Sequence, residues 1–355
     1  MQAKSPFKFL DSFDKEDINE FFGRDEETKA LFKKTFESNL VLLYGLSGTG
    51  KTSLVNCGLS NMFADTDWLP LFIRRDQNII ESLHQGIYNA AFEKKLLEGQ
   101  PIRKQVHSLY LDYYKPIYLI FDQFEELFIL GSQEEASRFF WLLAELLQAK
   151  LQVKIILIMR EEYLANLDRF EKIIPSLFDN RFRVERMRTE DIQEVITRSA
   201  DRFGIELEEP AEEVTRTVID NIRSERGWID LANLQVYLDR LYRDDLHRKG
   251  QENRSVRFDR ALLKKTGQLG DVLSRFLDEQ LETINRELAQ KGSKSEDAAL
   301  TVLAQLVTNE ATKQPRLLGP IVDQLTKEKK LTADEVSYCI ERLQEMRIIR
   351  YLEAG

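Results

Sequence analysis

A glycine-rich segment is followed at once by a lysine and a threonine in Gly45-Leu-Ser-Gly-Thr-Gly-Lys51-Thr52. This spacing matches G-x-x-x-x-G-K-[ST] at every required position. Glycines let the backbone turn so that successive NH groups point inward and surround phosphate oxygens at the start of a helix. Lys51 can supply a positive charge to the terminal phosphates, and the Thr52 hydroxyl can ligate Mg²⁺. We therefore predict a nucleotide-binding phosphate loop.

The residues predicted to bind the nucleotide lie in this loop and just after it. They are Gly45, Ser47, Gly48, Thr49, Gly50, Lys51, Thr52 and Ser53. The alternative interpretation is a Gly/Ser loop that carries Lys-Thr by chance. We disfavour it because the loop follows a predicted strand and opens a predicted helix, which is the context that gives the motif its meaning.

A carboxylate stands at the end of the apolar run Ile117-Tyr-Leu-Ile-Phe-Asp122. A phosphate loop needs such a group on a neighbouring strand to hold its metal ion. A lone carboxylate after a buried run would otherwise lack a partner. Thr52 and Asp122 are therefore the predicted Mg²⁺ ligands.

Two acidic residues, Glu125 and Glu126, follow Asp122 closely. Either can orient or deprotonate a water molecule that attacks the terminal phosphate, so both are candidate catalytic residues. The alternative is that both lie in the solvated first turn of a helix, where the helix dipole favours acidic side chains. The spacing alone does not decide between these interpretations.

Arg160 ends the apolar run 153–159 and is the third candidate catalytic residue. We expect it to emerge at the same sheet edge as the phosphate loop and Asp122, where it can contact the γ-phosphate. The alternative is an ion pair of Arg160 with Glu161 or Glu162. Both interpretations stay open at the level of the sequence.

Apolar runs alternate with amphipathic segments through the first half of the chain. The predicted strands are 40–44, 69–73, 117–121, 153–159 and 182–185, and the predicted helices include 51–63, 78–97 and 133–149. Buried strands that alternate with helices indicate a parallel sheet covered on both faces. The predicted fold class is a three-layer α/β P-loop NTPase.

The pattern changes near residue 189 to amphipathic helices, with Thr189 as the expected N-cap of the first one. We predict four parts, namely a lead segment, the NTPase domain, an all-α lid domain and a long helix plus a C-terminal winged-helix domain. Their ranges are 1–23, 24–188, 189–250 and 251–355. The winged helix is predicted from three short helices, the last capped by Thr332, that precede an apolar strand at 348–352.

The formal net charge of −9 works against nonspecific attraction to nucleic-acid phosphates, so we expect no DNA partner. No run approaches the roughly 18 apolar residues that a membrane-spanning helix needs. The first residues lack the apolar core of a signal peptide. The two cysteines are isolated and lack metal-ligand spacing. We expect a cytoplasmic protein without a membrane partner.

The segment Asp122-Gln-Phe-Glu-Glu-Leu-Phe resembles the extended second motif of the STAND class of signal-transduction NTPases. The resemblance is closest to the bacterial branch of these AAA+ relatives, near the NACHT-type domains. Phe22, Gly23 and Arg24 resemble the aromatic-Gly-Arg segment that packs near the adenine, and by this resemblance they join the predicted nucleotide-binding residues. The strand that ends at Arg160 resembles the sensor strand of the class. The predicted domain order is also similar, so the resemblance covers nearly the whole chain.

This resemblance implies a switch that binds ATP or ADP and hydrolyses ATP slowly with Mg²⁺. It also implies a homo-oligomer in the ATP-bound state, effector or sensor domains or proteins as partners, and a role in bacterial anti-phage defence signalling. Arg181 resembles an arginine finger of the broader AAA+ relatives, with a surface ion pair as the alternative. The lid segment 227–238 departs from many relatives because it lacks the proline that meets the nucleotide.

Two other functions are alternatives to the switch. The first is an AAA+ origin-binding or clamp-loader-like ATPase whose winged helix binds DNA. Residues 296–355 hold 8 Lys or Arg against 10 Asp or Glu, a net charge of −2 that is poor for phosphate contacts. The second is a kinase-like phosphotransferase, which leaves the helical second half of the chain without a role.

Overall fold

The computed structural model describes residues 5–9, 11–94, 99–224, 227–249, 255–293, 295–307, 318–328, 330–346 and 348–349. The chain forms two compact units, residues 1–269 and residues 270–354. None of the described helices is long and apolar enough to cross a membrane.

A five-stranded parallel sheet forms the centre of the first unit. Its strands are β1 Leu40–Gly45, β2 Leu69–Arg74, β3 Ile117–Asp122, β4 Val153–Arg160 and β5 Arg181–Arg183. They lie in the order β2-β3-β4-β1-β5, and every neighbouring pair is parallel. The predicted parallel sheet is confirmed, with strand ends shifted by one or two residues.

The neighbours of β1 differ from our expectation. We expected Asp122 to end the strand beside the phosphate-loop strand, but β4 lies between β1 and β3. Gly45 is aligned with Arg160 across the β1–β4 pair, so Arg160 ends the strand next to the loop. β1 therefore lies between β4 and β5 in the sheet, and in open α/β sheets ligands bind outside the carboxyl ends of the strands.

Helices cover both faces of this sheet. They are α1 Asp25–Glu37, α2 (residues 51–62), α3 Ile79–Ala90, α4 Ile102–Tyr113, α5 Glu126–Ile129 and α6 Gln133–Gln148, with 3₁₀ helices at Lys15–Glu20 and Glu161–Phe170. Side chains alternate along each strand, so one apolar cluster contains Leu119 and Leu157 and the other contains Ile120 and Ile156. The first cluster packs against α3, α4 and α6, and the second against α1 and α2. The sheet is therefore the middle of three layers.

Two helices of this unit differ from the prediction. α3 ends at Ala90, where Ala91 turns to an extended conformation, and part of the predicted helix, residues 95–98, lies outside the described residues. α4 was not predicted. It begins after Pro101, a residue whose restricted backbone suits a helix start.

Helix α2 begins directly at the phosphate loop. It is an α-helix over Lys51–Ser53, a π-helix over Leu54–Leu59 and an α-helix again over Ser60–Met62. A Cβ at Gly58 would lie 2.6 Å from Thr28 Oγ1, so the glycine lets α2 approach α1 closely. This packing holds the helix that carries the residues after the loop.

The rest of the first unit is mainly helical. Its helices are α7 Thr189–Phe203, α8 Ala211–Ile222, α9 Leu231–Lys249 and α10 Arg260–Thr266. We expected no strand here, but Glu206–Leu207 (β6) and Arg257–Phe258 (β7) form a short parallel pair. The N-cap of α7 is Arg188, not Thr189, and Asp191 accepts a hydrogen bond from the Arg188 amide. The predicted boundaries at residues 188 and 250 both fall inside this unit and stay predictions.

The described residues of the second unit form helices packed around an apolar cluster. The helices are α11 Leu269–Gln290, α12 Ala298–Ala304, α13 Leu318–Lys327 and α14 Ala333–Glu345. The predicted cap of α14 is confirmed, because the Thr332 side chain accepts from the Glu335 amide and Glu335 accepts from the Thr332 amide. Of the predicted final strand, residues 350–352 lie outside the described residues, so the winged helix stays a prediction.

Candidate functional site

The phosphate loop joins β1 to α2 through two glycines with left-handed backbone. The φ angles of Gly48 and Gly50 are +74° and +84°. Such values are strained for residues that carry a Cβ, so glycine is required at both positions. Gly50 of the motif and Gly48, at one of its variable positions, therefore allow the turn that lets backbone amides converge on an anion.

Lys51 is folded back onto the loop. Its Nζ donates hydrogen bonds to the carbonyl oxygens of Gly45 at 2.9 Å and Leu46 at 2.7 Å. Burial lowers the pKa of the Lys51 ammonium, and the negative charge of Glu125 opposes this shift. Lys51 thus lies at the loop with an acidic group close enough to influence its charge.

Thr52 and Asp122 meet across the site although β1, which leads into the loop before Thr52, and β3, which ends at Asp122, are not neighbours. Thr52 Oγ1 donates to Asp122 Oδ1 at 2.9 Å, and Asp122 is buried. Two adjacent oxygen donors fit the preference of Mg²⁺ for hard ligands. Among the described residues, no group of three or more His, Cys, Asp or Glu side chains is placed to hold a metal ion. A Mg²⁺ ion here would therefore take its remaining ligands from phosphate oxygens and water.

Arg74 is a site residue that the sequence reasoning missed. It ends β2 in register with Asp122, and its Nε and Nη2 donate to Asp122 Oδ2 at 3.0 and 2.6 Å. One carboxylate oxygen thus faces Thr52 while the other is held by Arg74. The strand-end argument that singled out Arg160 would also have found Arg74, because β2 was predicted to end one residue earlier.

Glu125 and Arg160 form an ion pair at the sheet edge where the loop begins. Arg160 Nε lies 3.1 Å from Glu125 Oε1, and the Arg160 amide donates to Glu125 Oε2 at 3.2 Å. The alternative interpretation of Arg160 as an ion-pair residue agrees with this contact, but the partner is Glu125, and Glu161 pairs instead with Arg183. Glu125 is only 5% exposed, so the solvated-turn interpretation is wrong for this residue.

The remaining candidate residues differ in their exposure and in their location around the site. Glu126 opens α5 and is half-buried. Ser47 is exposed on the loop, and Arg181 is exposed at the start of β5. The Ser53 hydroxyl accepts a hydrogen bond from the Phe13 amide at 3.1 Å, so Ser53 contacts the segment before α1. The structure therefore brings Lys51, Thr52, Asp122, Glu125 and Arg160 to one sheet edge and places Ser53 on another side of α2.

The segment Phe22-Gly23-Arg24 lies beside the loop. Arg24 is 3% exposed, and its Nη2 donates to the carbonyl oxygens of Thr49 and Glu185, both at 2.9 Å. Because these oxygens belong to the loop and to the segment after β5, Arg24 ties the two together. In this structure its guanidinium therefore bonds to the protein backbone.

The other two residues of this segment contact α7 and the chain just before it. A Cβ at Gly23 would lie 2.8 Å from Val195 Cγ2 and 3.2 Å from Met187 Cε. The Arg198 guanidinium lies 4.4 Å from the centre of the Phe22 ring. Sequence spacing could not have indicated Met187 or Val195 as neighbours of Gly23.

The segment before α9 also reaches the loop, and this contact was not predicted. The Leu231 amide donates to the Gly48 carbonyl at 3.3 Å. The Asp230 carboxylate lies against Gly48, with Oδ2 at 2.0 Å from the position that a Cβ there would occupy. Nearby, the Arg186 guanidinium stacks on the Trp228 ring at 4.3 Å. The segment 227–238, which lacks the proline found in many relatives, thus meets the phosphate loop at Asp230 and Leu231.

Comparison with known proteins agrees with this geometry. The model of the family described as Novel STAND NTPase 1 matches residues 6–353. The fold is similar to that of a Walker-type ATPase of Pyrococcus abyssi, with a TM-score of 0.51 and 17% identity over 98% of this chain and 95% of that chain. No curated protein matches significantly.

Two proteins of Aeropyrum pernix have a similar fold. One is the ORC1 protein in complex with DNA, with a TM-score of 0.53 and 15% identity over 94% of this chain and 87% of that chain. The other is the ORC2 protein in ADPNP–ADP complexes, with a TM-score of 0.51 and 12% identity over 92% of this chain and 95% of that chain. At such identities these likenesses show a shared P-loop ATPase fold.

Proposed function

The chain belongs to the Novel STAND NTPase 1 family, and from this premise we propose that it is a switch controlled by ATP and ADP. The family and the fold make it a nucleotide-binding P-loop ATPase. The proposed additions are slow Mg²⁺-dependent hydrolysis and assembly into a homo-oligomer when ATP is bound.

The observation that carries this proposal is the 2.9 Å hydrogen bond between Thr52 Oγ1 and Asp122 Oδ1. It places a loop hydroxyl and a strand-end carboxylate together at the start of the helix that follows the phosphate loop. Mg²⁺ bound there would offset the negative charge of the polyphosphate. In this proposal the loop amides and Lys51 bind the phosphates, and Thr52 and Asp122 hold the metal.

The proposed hydrolytic residues are Glu125 and Arg160. Glu125 is buried at the site and influences the charge of Lys51, so it is better placed than a surface acid to orient water. Arg160 ends the strand next to the loop and can contact a γ-phosphate once it is released from Glu125. A γ-phosphate would thus compete with Glu125 for Arg160. Because ADP has no γ-phosphate, this competition would allow the site to distinguish ATP from ADP.

A switch requires this distinction to be large. Moving a population from 1:99 to 99:1 takes a differential affinity of about 5.5 kcal/mol. We propose that residues 189–250 form the lid that responds to the bound nucleotide and that residues 251–355 carry a winged helix.

We also propose that effector or sensor domains or proteins receive the signal. The proposed setting of this signalling is bacterial anti-phage defence.

Lys51→Ala in the full chain tests the nucleotide site. We expect its affinity for Mg-ATP and ADP, measured by calorimetry, to fall at least about tenfold because a charge-assisted contact is lost. Lys33→Ala, at an exposed position of α1, is the matched control. A Lys51→Ala protein that binds Mg-ATP as tightly as the parent would show that the assignment is wrong.

Light scattering with ATP and then with ADP tests the proposed assembly. The assembly proposal is rejected if the mass of the particle is the same with both nucleotides.

DNA binding is the second candidate function. The fold of the Aeropyrum pernix ORC1 protein, solved in complex with DNA, resembles this chain, so our expectation of no DNA partner is unsupported. Contacts between lysine or arginine and phosphates make DNA affinity fall steeply with salt. Tight binding of a duplex that weakens from 50 to 200 mM salt would favour this function, whereas no binding at low salt would exclude it.

A further inference from the structure

Arg24 is a buried cation that bonds to a backbone carbonyl of the phosphate loop. It is only 3% exposed, and its Nη2 donates to the Thr49 carbonyl at 2.9 Å. Thr49 is equally buried and lies between Gly48 and Gly50, the two loop residues with positive φ. The contact therefore falls on the part of the loop where these glycines allow the backbone to turn.

The Thr49 carbonyl and the Gly50 amide belong to the same peptide group. This peptide group is trans, so it is planar and its C=O and N–H point in opposite directions. A guanidinium bound to the carbonyl therefore fixes the direction of the Gly50 N–H, one of the loop amides predicted to bind phosphate. The positive charge beside the carbonyl oxygen also polarises the peptide group, which makes its N–H a stronger donor.

Glycine would leave this peptide group free to rotate unless other contacts held it. The φ angle of Gly50 is +84°, and glycine populates positive and negative φ about equally. Two further contacts fix the Arg24 side chain. Its Nη2 also donates to the Glu185 carbonyl at 2.9 Å, and its Nη1 pairs with Glu27 in the first turn of α1. Arg24 is therefore anchored on two parts of the protein outside the loop, α1 and the segment after β5.

We propose that Arg24 is a positioning residue for phosphate binding. It acts through the peptide group between Thr49 and Gly50 and keeps the Gly50 N–H directed toward the bound phosphates. The resemblance to STAND relatives implies a place near the adenine for this residue, whereas the role proposed here affects the binding of phosphates whatever base they carry. This inference rests on the proposed phosphate site at residues 45–52 and adds a residue that shapes it.

The test compares Mg-ATP with Mg-tripolyphosphate, a ligand that has neither base nor sugar. In the full chain, we expect Arg24→Ala to weaken the binding of both ligands by about tenfold, as a hydrogen bond from a charged group is lost. Arg24→Lys keeps the charge but lacks the planar group that reaches all three partners, so its affinities should lie between those of the parent and of Arg24→Ala. Calorimetry measures the affinities under conditions in which circular dichroism shows each variant to be folded.

The matched control is Lys154→Ala. Lys154 is also a cation that donates to two backbone carbonyls, those of Thr35 at 2.6 Å and Ser38 at 3.4 Å. It lies near the start of β4, at the end of the sheet opposite to the phosphate loop. Its removal takes away a similar set of contacts without touching the loop, so we expect the affinities for both ligands to equal those of the parent.

Two results overturn the inference. One is a folded Arg24→Ala or Arg24→Lys protein that binds Mg-tripolyphosphate as tightly as the parent, and a loss confined to Mg-ATP would place the effect on the adenosine part. The other is an equal loss in Lys154→Ala, which would attribute the effect to a general loss of stability. Lys51→Ala separates these failures from failure of the site itself. If that variant binds Mg-tripolyphosphate as tightly as the parent, or if the parent does not bind it, the phosphate site is wrongly assigned.

Discussion

Glu125 holds Arg160 by both of its carboxylate oxygens. Oε1 lies 3.1 Å from the Arg160 Nε, and Oε2 accepts from the Arg160 amide at 3.2 Å. The other cations of this sheet edge are also engaged, since Arg74 binds Asp122 and Lys51 binds loop carbonyls. These internal contacts lie at the proposed nucleotide site, which makes the pairs suitable targets for mutation.

Glu125→Gln should lower ATP hydrolysis by about 10²–10⁴-fold, the usual contribution of a general base. Nucleotide binding should persist because the substitution leaves the loop, Lys51 and Thr52 unchanged. Phosphate release at saturating Mg-ATP measures the effect. Glu126→Gln is the matched comparison on the next residue, and a larger loss there than at position 125 would transfer the role to Glu126.

Arg74→Ala should weaken the response to Mg²⁺. Arg74 binds Asp122 Oδ2 and so directs Oδ1 toward Thr52, and loss of such supporting contacts typically costs about 10–100-fold in metal affinity or activity. The measurement is nucleotide affinity as a function of Mg²⁺ concentration, with binding in EDTA as the reference. Arg74→Lys should be intermediate because a lysine cannot donate from two nitrogens. A Mg²⁺ dependence equal to that of the parent argues against this role.

Glu135→Ala should destabilise the first unit by about 3–5 kcal/mol, the usual cost of breaking a buried ion pair. Arg75 contacts both oxygens of Glu135 at 3.0 Å, with side-chain exposures of only 2% and 4%. The Ile79 amide also donates to Glu135, so its removal leaves a donor unpaired as well. Urea unfolding measures the loss of stability.

The control for Glu135→Ala is Glu134→Ala on the same helix. Glu134 pairs with Arg138 at the surface, and exposed pairs contribute only about 0–1 kcal/mol. Equal losses for the two variants would mean that the effect arises from the helix and not from the buried pair.

The two thiols should report separately on the two units. Cys57 lies in the first unit and Cys339 in the second, and burial raises the pKa of each to about 12. Both should resist alkylation at pH 8 until their unit unfolds. Pulsed alkylation in increasing urea, read by mass spectrometry, gives an unfolding curve for each thiol. Reaction of either thiol in native buffer at the rate of a free cysteine would contradict the prediction.

The same pKa shifts determine how stability changes in alkali. Unfolded thiols ionise near pH 8.5, whereas the folded ones stay protonated up to about pH 12. The unfolded chain therefore binds fewer protons between these values, and stability falls as pH rises through that window. We expect the stability of the first unit to fall less with pH in Cys57→Ala, because this variant has no thiol to ionise at that position. The stability that this variant loses through poorer packing should be the same at pH 8 as at higher pH.

Local spacing was enough to predict the glycine-rich loop, the five strands and the carboxylate at the end of the third strand. Loop and strand are adjacent in sequence, and the apolar run before Asp122 signals a buried strand that must end at a sheet edge. The same reasoning led to Glu125 and Arg160 as candidates. Local patterns were less reliable at element ends, where Arg188 took the N-cap expected of Thr189.

The sequence by itself therefore determined that a polyphosphate-binding loop and an acidic strand end exist in this chain. Only the tertiary structure decided that β4 lies between them, that Glu125 pairs with Arg160, and that Asp230 lies on the loop. The strand order and the placement of Asp230 on the loop depend on contacts between residues far apart in the chain. Such contacts leave no periodicity or spacing in the sequence, because they arise only when separate elements bury their apolar faces together.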